Sequence, residues 1–248
     1  MVGSTSVSEQ PASNATVVPR HLCIIMDGNH RWAVKRRLPG FAGHRAGANR
    51  LKEVALLCAD QGIKHLTVFA FSTENWGRPS AEVSMLMNLM RHVMENDIEE
   101  LNERGVRLRI IGERSKFAPD IQARMGQCEA LTEANDSLSL SVAVNFGGRW
   151  DILEGVRSVA EKVVAGELAL DEVTEEVFAS HLSLAGLPEP DLLIRTGGDF
   201  RVSNFLLWDL AYTELYFSDM FWPDFDEDAL NHALKEFSHR TRRFGKRG

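Results

Sequence analysis

Four short segments combine glycine and arginine with carboxylate or amide side chains, each directly after an apolar run of the chain. They are residues 27–31, 72–78, 145–149 and 195–201. Glycine lets the backbone approach a ligand closely, and the guanidinium group of arginine forms paired hydrogen bonds with phosphate or carboxylate. Segments of this kind are typical of small-anion sites. Several in one chain predict more than one phosphate-bearing ligand.

Six apolar runs predict β-strands, and most are separated by stretches with helical periodicity. The predicted strands are 21–26, 65–72, 106–112, 138–146, 191–196 and 214–219, and the predicted helices are 45–60, 80–103, 117–134, 150–165 and 172–184. This alternation predicts an α/β fold with a single domain and a mostly parallel six-stranded sheet flanked by helices. Ligands bind beyond the carboxyl ends of the strands in such a sheet, where the four segments lie.

The predicted helix over 80–103 is apolar around more of its circumference than one packed face requires. Met85 and Leu89 widen its apolar stripe beyond the seven residues of an ordinary core face. Those seven are Val83, Leu86, Met87, Met90, Val93, Met94 and Leu101. Because methionine adapts to irregular shapes, the pattern fits either a Met-rich core helix or the wall of a cavity for a flexible hydrocarbon.

The composition excludes several classes of protein. The chain has 248 residues, 44% of them hydrophobic, and a formal net charge of −7, which disfavours a nucleic-acid partner. Arginine supplies 21 of the 28 basic residues, a bias that suits small-anion binding. The three cysteines have neither metal nor disulfide spacing, which is typical of a reducing compartment.

The same composition predicts where the protein resides and how the chain is divided. No apolar run approaches the roughly 20 residues of a membrane helix, so we expect a cytoplasmic protein. Residues 1–18 are rich in Ser, Thr, Pro and Ala and are predicted to form a disordered tail. A single folded domain is expected to span 19–248.

The segments also carry the motifs of a known family. The chain resembles the cis-prenyltransferases, the undecaprenyl diphosphate synthase family, from about Pro19 to Gly245. The motifs are I-M-D-G-N-x-R-W-A at 25–33, G-H-x-x-G at 43–47, F-S-T-E-N-W-x-R-P at 71–79, N-F-G-G-R at 145–149, I-R-T-G-G-D-x-R-x-S-N-F-L-L-W at 194–208 and Y-T-E-L-Y-F at 212–217.

The resemblance implies a reaction. Isopentenyl diphosphate would be added repeatedly, with cis geometry, to farnesyl diphosphate, giving undecaprenyl diphosphate, the lipid carrier precursor for peptidoglycan and other cell-wall glycans. Such an enzyme needs two diphosphate sites and an apolar tunnel between the sheet and the helices. Its implied partners also include a second copy of the chain in a homodimer and transient contact with the inner face of the membrane for product release.

The resemblance further implies roles for individual residues. Asp27 would be catalytic and bind Mg²⁺ at the allylic diphosphate, Asn75 would be the second catalytic residue, and Glu214 would be a further acid tied to the metal. The implied substrate-binding residues are Gly28, Asn29, His30, Arg31, Trp32, His44, Ser72, Thr73, Glu74, Trp76, Arg78, Arg195, Arg201 and Ser203. Within this set, residues 28–31 and Arg78 would hold the allylic diphosphate, whereas Arg195, Arg201 and Ser203 would hold isopentenyl diphosphate.

The tunnel and the dimer interface have implied positions as well. Ala70 and Ala143 would leave room for the growing product, and Leu138 matches a tunnel-end position that influences product length. The sequence Arg243-Phe244-Gly245 matches a signature of the dimer interface.

Two departures from the family pattern leave alternatives open. Gly40 stands where many relatives have arginine, so one allylic contact is missing or supplied by Arg36, Arg37 or Arg45. Asp199 stands where glutamate is common. The alternatives are a short-chain synthase or a head-to-middle, lavandulyl-type enzyme, and a non-catalytic partner subunit. The last is disfavoured because the first acid and its Gly-Asn-Arg surroundings are intact.

Overall fold

The computed structural model describes residues 18–240, in which six strands form one sheet. The strand order is β3-β4-β2-β1-β5-β6, and every neighbouring pair is parallel. The strands are β1 (His21–Ile25), β2 (His65–Ser72), β3 (Val106–Ile111), β4 (Leu138–Phe146), β5 (Leu192–Arg195) and β6 (Glu214–Phe217). The predicted fold class is confirmed, and each predicted strand agrees with the structure to within two residues at either end.

Helices cover both faces of the sheet. They are α1 (Asn29–Lys35), α2 (Gly40–Asp60), α3 (Ser80–Asn96), α4 (Ile98–Glu103), α5 (Pro119–Thr132), α6 (Gly148–Val164), α7 (Glu175–Ala179) and α8 (Glu227–Ser238). Buried side chains of α2, α3, α5 and α8 pack on one face, which carries Leu22, Ile24 and Leu66. The other face carries Cys23, Ile25 and Leu193 and is covered by α6 and the segment around Phe205.

The helix predicted over 80–103 is two helices in the structure. The backbone of Asp97 (φ −106°, ψ −13°) ends α3 and precedes α4. Its carboxylate accepts a hydrogen bond from Lys52 Nζ of α2 at 2.9 Å. Asn96 and Asp97, where the two helices meet, are both residue types of low helix propensity. The interruption is slight, since Asp97 N still bonds to the carbonyl of Val93 and Leu101 N to that of Asp97, and it coincides with the ion pair to Lys52.

The helix predicted over 172–184 is largely wrong. Only Glu175–Ala179 is α-helical, after an N-cap in which Thr174 Oγ1 accepts a hydrogen bond from Val177 N. Beyond it the chain forms turns, because Ser183 donates from both its backbone N and its Oγ to Oδ1 of the buried Asp151, at 3.1 and 2.6 Å. Satisfying a buried carboxylate outweighs helix propensity here.

Ala143 and Leu138, assigned to the tunnel and to its end, have different positions in the structure. Ala143 is fully buried in the second face with Phe146 and Phe205, so its assignment to the tunnel is wrong. The period-two alternation of a strand places Val142 and Val144 on the face toward α3 instead. Leu138 lies on that face and is also fully buried; it does not line the cavity described below, and its position at the tunnel end stays a prediction.

The two ends of the chain lie outside the described residues. Residues 1–17 of the predicted tail and the predicted interface signature at 243–245 both fall there, whereas Val18 packs against the core. None of the helices that the structure describes is both long and apolar enough to cross a bilayer.

Two acidic side chains, Asp151 and Asp209, lie close enough under the second face to influence each other's charge. Asp209 Oδ2 is buried and makes no hydrogen bond to the described residues. Burial, together with the negative charge of Asp151, raises the pKa of Asp209 to about 7. An unfolded aspartate has a pKa of about 4, so between about pH 4 and pH 7 the folded chain holds a proton that the unfolded chain has lost. Stability should therefore fall as pH rises through this window.

We expect Asp209→Asn to stabilise the protein more at pH 8 than at pH 5, with the difference on the order of 2 kcal/mol. Denaturant unfolding at both pH values measures it, and Asp136→Asn, which removes an exposed carboxylate, is the control. An equal gain at both pH values would show that Asp209 is ionised throughout.

Candidate active site

Asp27 lies at the carboxyl edge of the sheet, between the end of β1 and the start of α1. Gly28 adopts φ +101°, and a Cβ there would lie 2.7 Å from the ring of Phe221, so the turn requires glycine. Asp27 Oδ1 accepts hydrogen bonds from Gly28 N at 2.6 Å and Arg31 Nη2 at 3.1 Å, and its Oδ2 accepts one from Arg195 Nη2 at 2.8 Å. The carboxylate is held from both sides while 29% of the side chain remains exposed.

Three arginines and two carboxylates meet at this edge. Arg31, Arg195 and Arg201 approach Asp199 Oδ2 at 3.5, 3.6 and 3.1 Å, and two of them also contact Asp27. Three cations against two anions leave one positive charge in excess. An added anion would also find the guanidinium groups already gathered, so the cluster favours binding of a multiply charged ligand.

The arginines determine the ionisation of Asp27. Burial alone would raise its pKa, but the hydrogen bond and charge of Arg195, together with the charge of Arg31, lower the pKa below the ordinary value of an aspartate. Asp27 is therefore ionised at neutral pH, as a cation-binding carboxylate must be.

Arg195 is the fixed member of the three arginines, with only 4% of its side chain exposed. It donates to Ser203 Oγ at 2.8 Å and to the carbonyl of Arg201, while its Nε is buried without a hydrogen-bond partner among the described residues. Arg201, by contrast, is 63% exposed. An anionic ligand could therefore contact the exposed Arg201 first and then bond to the buried Arg195, whose Nε still lacks a hydrogen-bond partner.

Ser203 and Asn204 lie in a turn whose φ angles of +48° and +62° are rarely adopted by residues other than glycine. Asn204 joins this turn to the start of α6 and to the segment after β2, since its Oδ1 accepts from Arg149 N at 3.0 Å and its Nδ2 donates to Glu74 Oε1 at 2.9 Å. Thr73 Oγ1 donates to the other oxygen of Glu74 at 3.0 Å. Asn204 was not among the predicted site residues, although an Asn directly after the predicted Ser203 was a usable signal.

The loop after β2 is braced from within and from β4. Asn75 Oδ1 accepts a hydrogen bond from Ser72 N at 3.0 Å, which closes a tight 3₁₀ turn. The indole N–H of Trp76 donates to Asn145 Oδ1 at 2.8 Å, and Asn145 Nδ2 donates in turn to the carbonyl of Glu113 at 2.8 Å. Ser72, Asn75 and Trp76 thus hold the loop in place, and their predicted roles toward substrate stay predictions. Asn145, at φ +46°, is a positioning residue that was not predicted.

Helices α1 and α2 pack so closely that glycine is required between them. A Cβ on Gly43 would overlap the carbonyl oxygen of Asn29, and one on Gly47 would overlap its side-chain oxygen. Asn29 Nδ2 donates to the Met26 carbonyl at 3.2 Å, but its Oδ1 is buried without a hydrogen bond to the described residues. Asn29 also lines an apolar cavity, so a polar group of a ligand bound there could satisfy its Oδ1.

Other predicted residues of α1 have contacts outside the arginine cluster. Trp32 Nε1 donates to Asp224 Oδ1 at 2.7 Å, and Arg36 bonds to the same carboxylate at 2.9 Å while its guanidinium lies over the Trp32 ring. His30 explains the departure at Gly40, because a Cβ there would lie 2.7 Å from His30 Nδ1. Trp32 therefore lies outside the arginine cluster. The imidazole ring of His30 occupies the space that a side chain at position 40 would need.

An apolar cavity of about 190 Å³ lies between the sheet and helices α2 and α3. Its lining is Leu86, Leu89, Met90, Val93 and Met94 of α3 and Leu140, Val142 and Val144 of β4, with Asn29, His44 and Ala70 among its other residues. The helix with the wide apolar arc therefore does line a cavity, and Asn29 links that cavity to the turn that carries Asp27.

Arg78, Glu82 and His44 stand beside this cavity. Arg78 Nη1 donates to Glu82 Oε1 at 3.0 Å, and His44 Nε2 lies 3.8 Å from the same oxygen. Burial and the charge of Arg78 lower the pKa of His44, while Glu82 partly opposes them. His44 is therefore largely neutral at neutral pH.

Comparison with known proteins identifies the family. Residues 25–245 match the sequence profile of the prenyltransferase family described as "Putative undecaprenyl diphosphate synthase". The chain belongs to this prenyltransferase family. A relative from Pseudomonas aeruginosa, named ditrans,polycis-undecaprenyl-diphosphate synthase ((2E,6E)-farnesyl-diphosphate specific), is 53% identical over 92% of this chain and 91% of its own length. A relative of the same name from Xanthomonas campestris is 50% identical over 98% of this chain and 94% of its own.

A solved structure agrees with the family assignment. Lavandulyl diphosphate synthase from Lavandula x intermedia, in complex with dimethylallyl diphosphate, superposes with a TM-score of 0.90 at 37% identity, covering 94% of this chain and 100% of the other. The prenyltransferase fold is therefore shared across the described sheet and its helices.

Glu214 was predicted as a site residue of this prenyltransferase, but it lies at the amino ends of the strands, opposite the end that carries Asp27. It begins β6, and the register aligns it with Leu192 of β5 and through that residue with Leu22 of β1. Its carboxylate pairs with Arg240 at 3.0 Å. The parallel register thus separates the two predicted metal ligands within one chain, and the role of Glu214 stays a prediction.

The surroundings of Asp27 suit a divalent cation that is bound together with a phosphate-bearing substrate. Among residues 18–240, no group of three or more His, Cys, Asp or Glu side chains could hold a metal. Mg²⁺, however, is commonly bound by one or two carboxylates with substrate phosphates. An ionised and partly exposed Asp27 beside arginines that suit diphosphate matches that donor set.

Proposed function

We propose that this prenyltransferase extends farnesyl diphosphate with isopentenyl diphosphate, in cis steps, to undecaprenyl diphosphate, which serves as a lipid carrier precursor for cell-wall glycan synthesis. One observation carries the proposal: Arg31, Arg195 and Arg201 gather around Asp199, and Asn29, two residues before Arg31, lines an apolar cavity. An allylic diphosphate has a charged end for Arg31 and an apolar end for the cavity, and Arg195 and Arg201 remain for a second diphosphate. The names of relatives at 50% identity or more support this substrate pair.

The chain's own residues supply binding and charge in this proposal. Residues 28–31 and Arg78 take the allylic diphosphate, and Arg195, Arg201 and Ser203 take that of isopentenyl diphosphate. Mg²⁺, held by Asp27, would neutralise charge on the departing diphosphate. Arg31 would stabilise the same charge without reorganising, because its guanidinium already lies beside Asp27.

Carbon–carbon bond formation follows departure of the diphosphate. The alkene of isopentenyl diphosphate attacks the allylic cation, and the resulting cation loses a proton to give the new cis double bond. Two acceptors suit this proton: the diphosphate that has just departed and the largely neutral imidazole of His44 at the cavity.

We also propose a homodimer and a cytoplasmic enzyme with transient contact at the inner face of the membrane. Leu153 and Val156, three positions apart on α6, are exposed, and so is Trp208, whose ring contacts Phe178; these residues supply exposed apolar surface. A surface of this kind on the outside of a domain suits a second copy. The mass of the protein in solution tests the dimer.

A lavandulyl-type reaction is the second candidate, and the TM-score of 0.90 favours it. That enzyme is less similar in sequence, at 37% identity, than the relatives named for farnesyl diphosphate. The cavity is also lined by a whole helix face, as a long product requires.

Product analysis separates the candidates. Purified protein is incubated with farnesyl diphosphate, radiolabelled isopentenyl diphosphate and Mg²⁺, with and without chelator, and the dephosphorylated products are sized. A chelator-sensitive ladder that ends at undecaprenyl length is expected. A single short or branched product would replace the proposal with the second candidate. No incorporation until a second protein is added would indicate a partner subunit.

A bulky residue in the cavity should shorten the product. Val142 of β4 lines the cavity and lies across from α3, so Val142→Phe should fill part of the space and shift the ladder toward shorter chains. The distribution of lengths measures this independently of how much protein is folded. Val142→Ile, which adds one methylene, is the matched control, and an unchanged ladder in the phenylalanine variant would place the product elsewhere.

A further inference from the structure

The charge of this chain is unevenly distributed. Residues 28–52 contain seven lysines and arginines and no aspartate or glutamate, in a chain whose formal net charge is −7. The remainder of the chain is correspondingly more acidic. These residues form α1, the turn after it and the first part of α2.

Several of these cations are neutralised by ion pairs, but others are not. Arg36 pairs with Asp224, for example, and Arg50 with Glu53. Lys35, Arg37 and Arg45 are exposed, and none of them pairs with a carboxylate of residues 18–240. Arg37 and Arg45 therefore expose positive charge without a carboxylate partner, and Lys35, whose Nζ also lies 5.8 Å from the centre of the Phe221 ring, adds a third such charge.

The same corner exposes large apolar side chains. Val34, Leu38 and Phe41 are 59%, 43% and 49% exposed, although they occupy only eight consecutive positions. Met85 of α3 is 41% exposed and lines a groove together with Phe41. We call this set, with Lys35, Arg37 and Arg45, the basic–apolar corner.

The groove connects this corner to the cavity. It has a volume of about 410 Å³, and its lining includes Phe41, Arg45 and Met85. His44, Leu86 and Leu89 line both the groove and the cavity, so the two spaces are adjacent. An apolar chain leaving the cavity through the groove would emerge at the corner.

We propose that the basic–apolar corner docks on a bilayer containing anionic phospholipids. Interfacial surfaces of peripheral proteins combine lysine or arginine with phenylalanine and leucine, and the cations are attracted to anionic head groups. The acidic remainder of the chain would be repelled, which orients the protein with the groove toward the lipid. The inference rests on the proposed function in one respect, since an apolar product gives the docking its purpose.

Vesicle binding without substrates tests the surface. Wild-type protein should bind vesicles of phosphatidylcholine with 30 mol% phosphatidylglycerol at least tenfold more tightly than vesicles of phosphatidylcholine alone. Lys35→Glu removes one positive and adds one negative charge, and should weaken binding to the anionic vesicles about 25-fold. Leu38→Ser combined with Phe41→Ser should weaken it at least tenfold.

Matched controls come from the far end of α6. Lys162→Glu makes the same charge change on an exposed residue, and Val164→Ser removes an apolar side chain that is 89% exposed. Both should bind vesicles within twofold of wild type. Loss of binding in these controls equal to that in the corner variants would reduce the effect to net charge or hydrophobicity and overturn the proposal.

Mass in solution and turnover in micelles distinguish docking on lipid from self-association and from a loss of catalysis. If the Leu38/Phe41 variant changes the mass in solution and leaves vesicle binding unaltered, the corner is an interface between copies and the docking proposal is wrong. Turnover in detergent micelles should be unchanged by Lys35→Glu. An inactive wild-type protein that binds vesicles would overturn the proposed function alone, and an active one that does not bind would overturn the docking alone.

Discussion

Replacing Asp27 by asparagine should lower kcat for isopentenyl diphosphate incorporation by about 10³-fold or more, while the protein stays folded. The amide preserves shape but removes the negative charge that a divalent cation needs. The buried Arg195 loses its nearest anion yet keeps Ser203 and approaches Asp199 at 3.6 Å. We therefore expect a stability loss of only about 1–3 kcal/mol.

Steady-state kinetics with both substrates saturating, together with denaturant unfolding, measure these two effects. Asp199→Asn is the matched control, because Asp199 contacts the same arginines as Asp27 and also Arg201. Its kcat should fall far less. Equal losses in the two variants would show that Asp27 serves only to balance charge, and near wild-type turnover in Asp27→Asn would make its assignment wrong.

Arg201→Ala should raise KM for isopentenyl diphosphate about 10- to 100-fold and change KM for farnesyl diphosphate by less than about threefold. A charge-assisted hydrogen bond contributes about 1.5–3 kcal/mol, which corresponds to this range. Arg201 is exposed and bonds only to Asp199 among the described carboxylates, so its removal should leave the fold intact.

Arg31→Ala is the reciprocal variant. Arg31 contacts Asp27 from the first turn of α1 and should mainly affect farnesyl diphosphate. Each KM is measured with the other substrate saturating. If Arg201→Ala affected only the allylic substrate, the two diphosphate sites would have been assigned in reverse.

The strands and the site loops could be predicted because their signals are local. Continuous apolar runs buried on both faces mark parallel strands, and glycine with arginine marks the loops that follow. Because all six strands are parallel, those loops fall on one edge without further information, which brings together Asp27, Arg195 and Ser203.

What could not be predicted depends on contacts between distant residues. The break at Asp97 coincides with an ion pair to Lys52 of another helix, and the turns after α7 bond to the buried Asp151. Likewise, Trp76 turns inward because its indole N–H finds Asn145, an acceptor 69 positions away in sequence. No window of sequence contains both partners of these contacts.

The misplacement of Ala143 has a different cause. Strand alternation counted from Val142 is present in the sequence and puts Ala143 on the far face. For a residue in a strand, the face to which alternation assigns it is therefore a better criterion of tunnel lining than the small size of its side chain.

The close packing of α2 against α1 makes two glycines into remote determinants of substrate geometry. Neither Gly43 nor Gly47 has a side chain with which to touch a substrate, yet an alanine at either would have to displace Asn29, and with it the turn that carries Asp27 and Arg31. In a mutational scan, both positions should therefore behave like binding residues, with their defects appearing in substrate affinity. An engineer who wished to widen the diphosphate site would do best to start from α2.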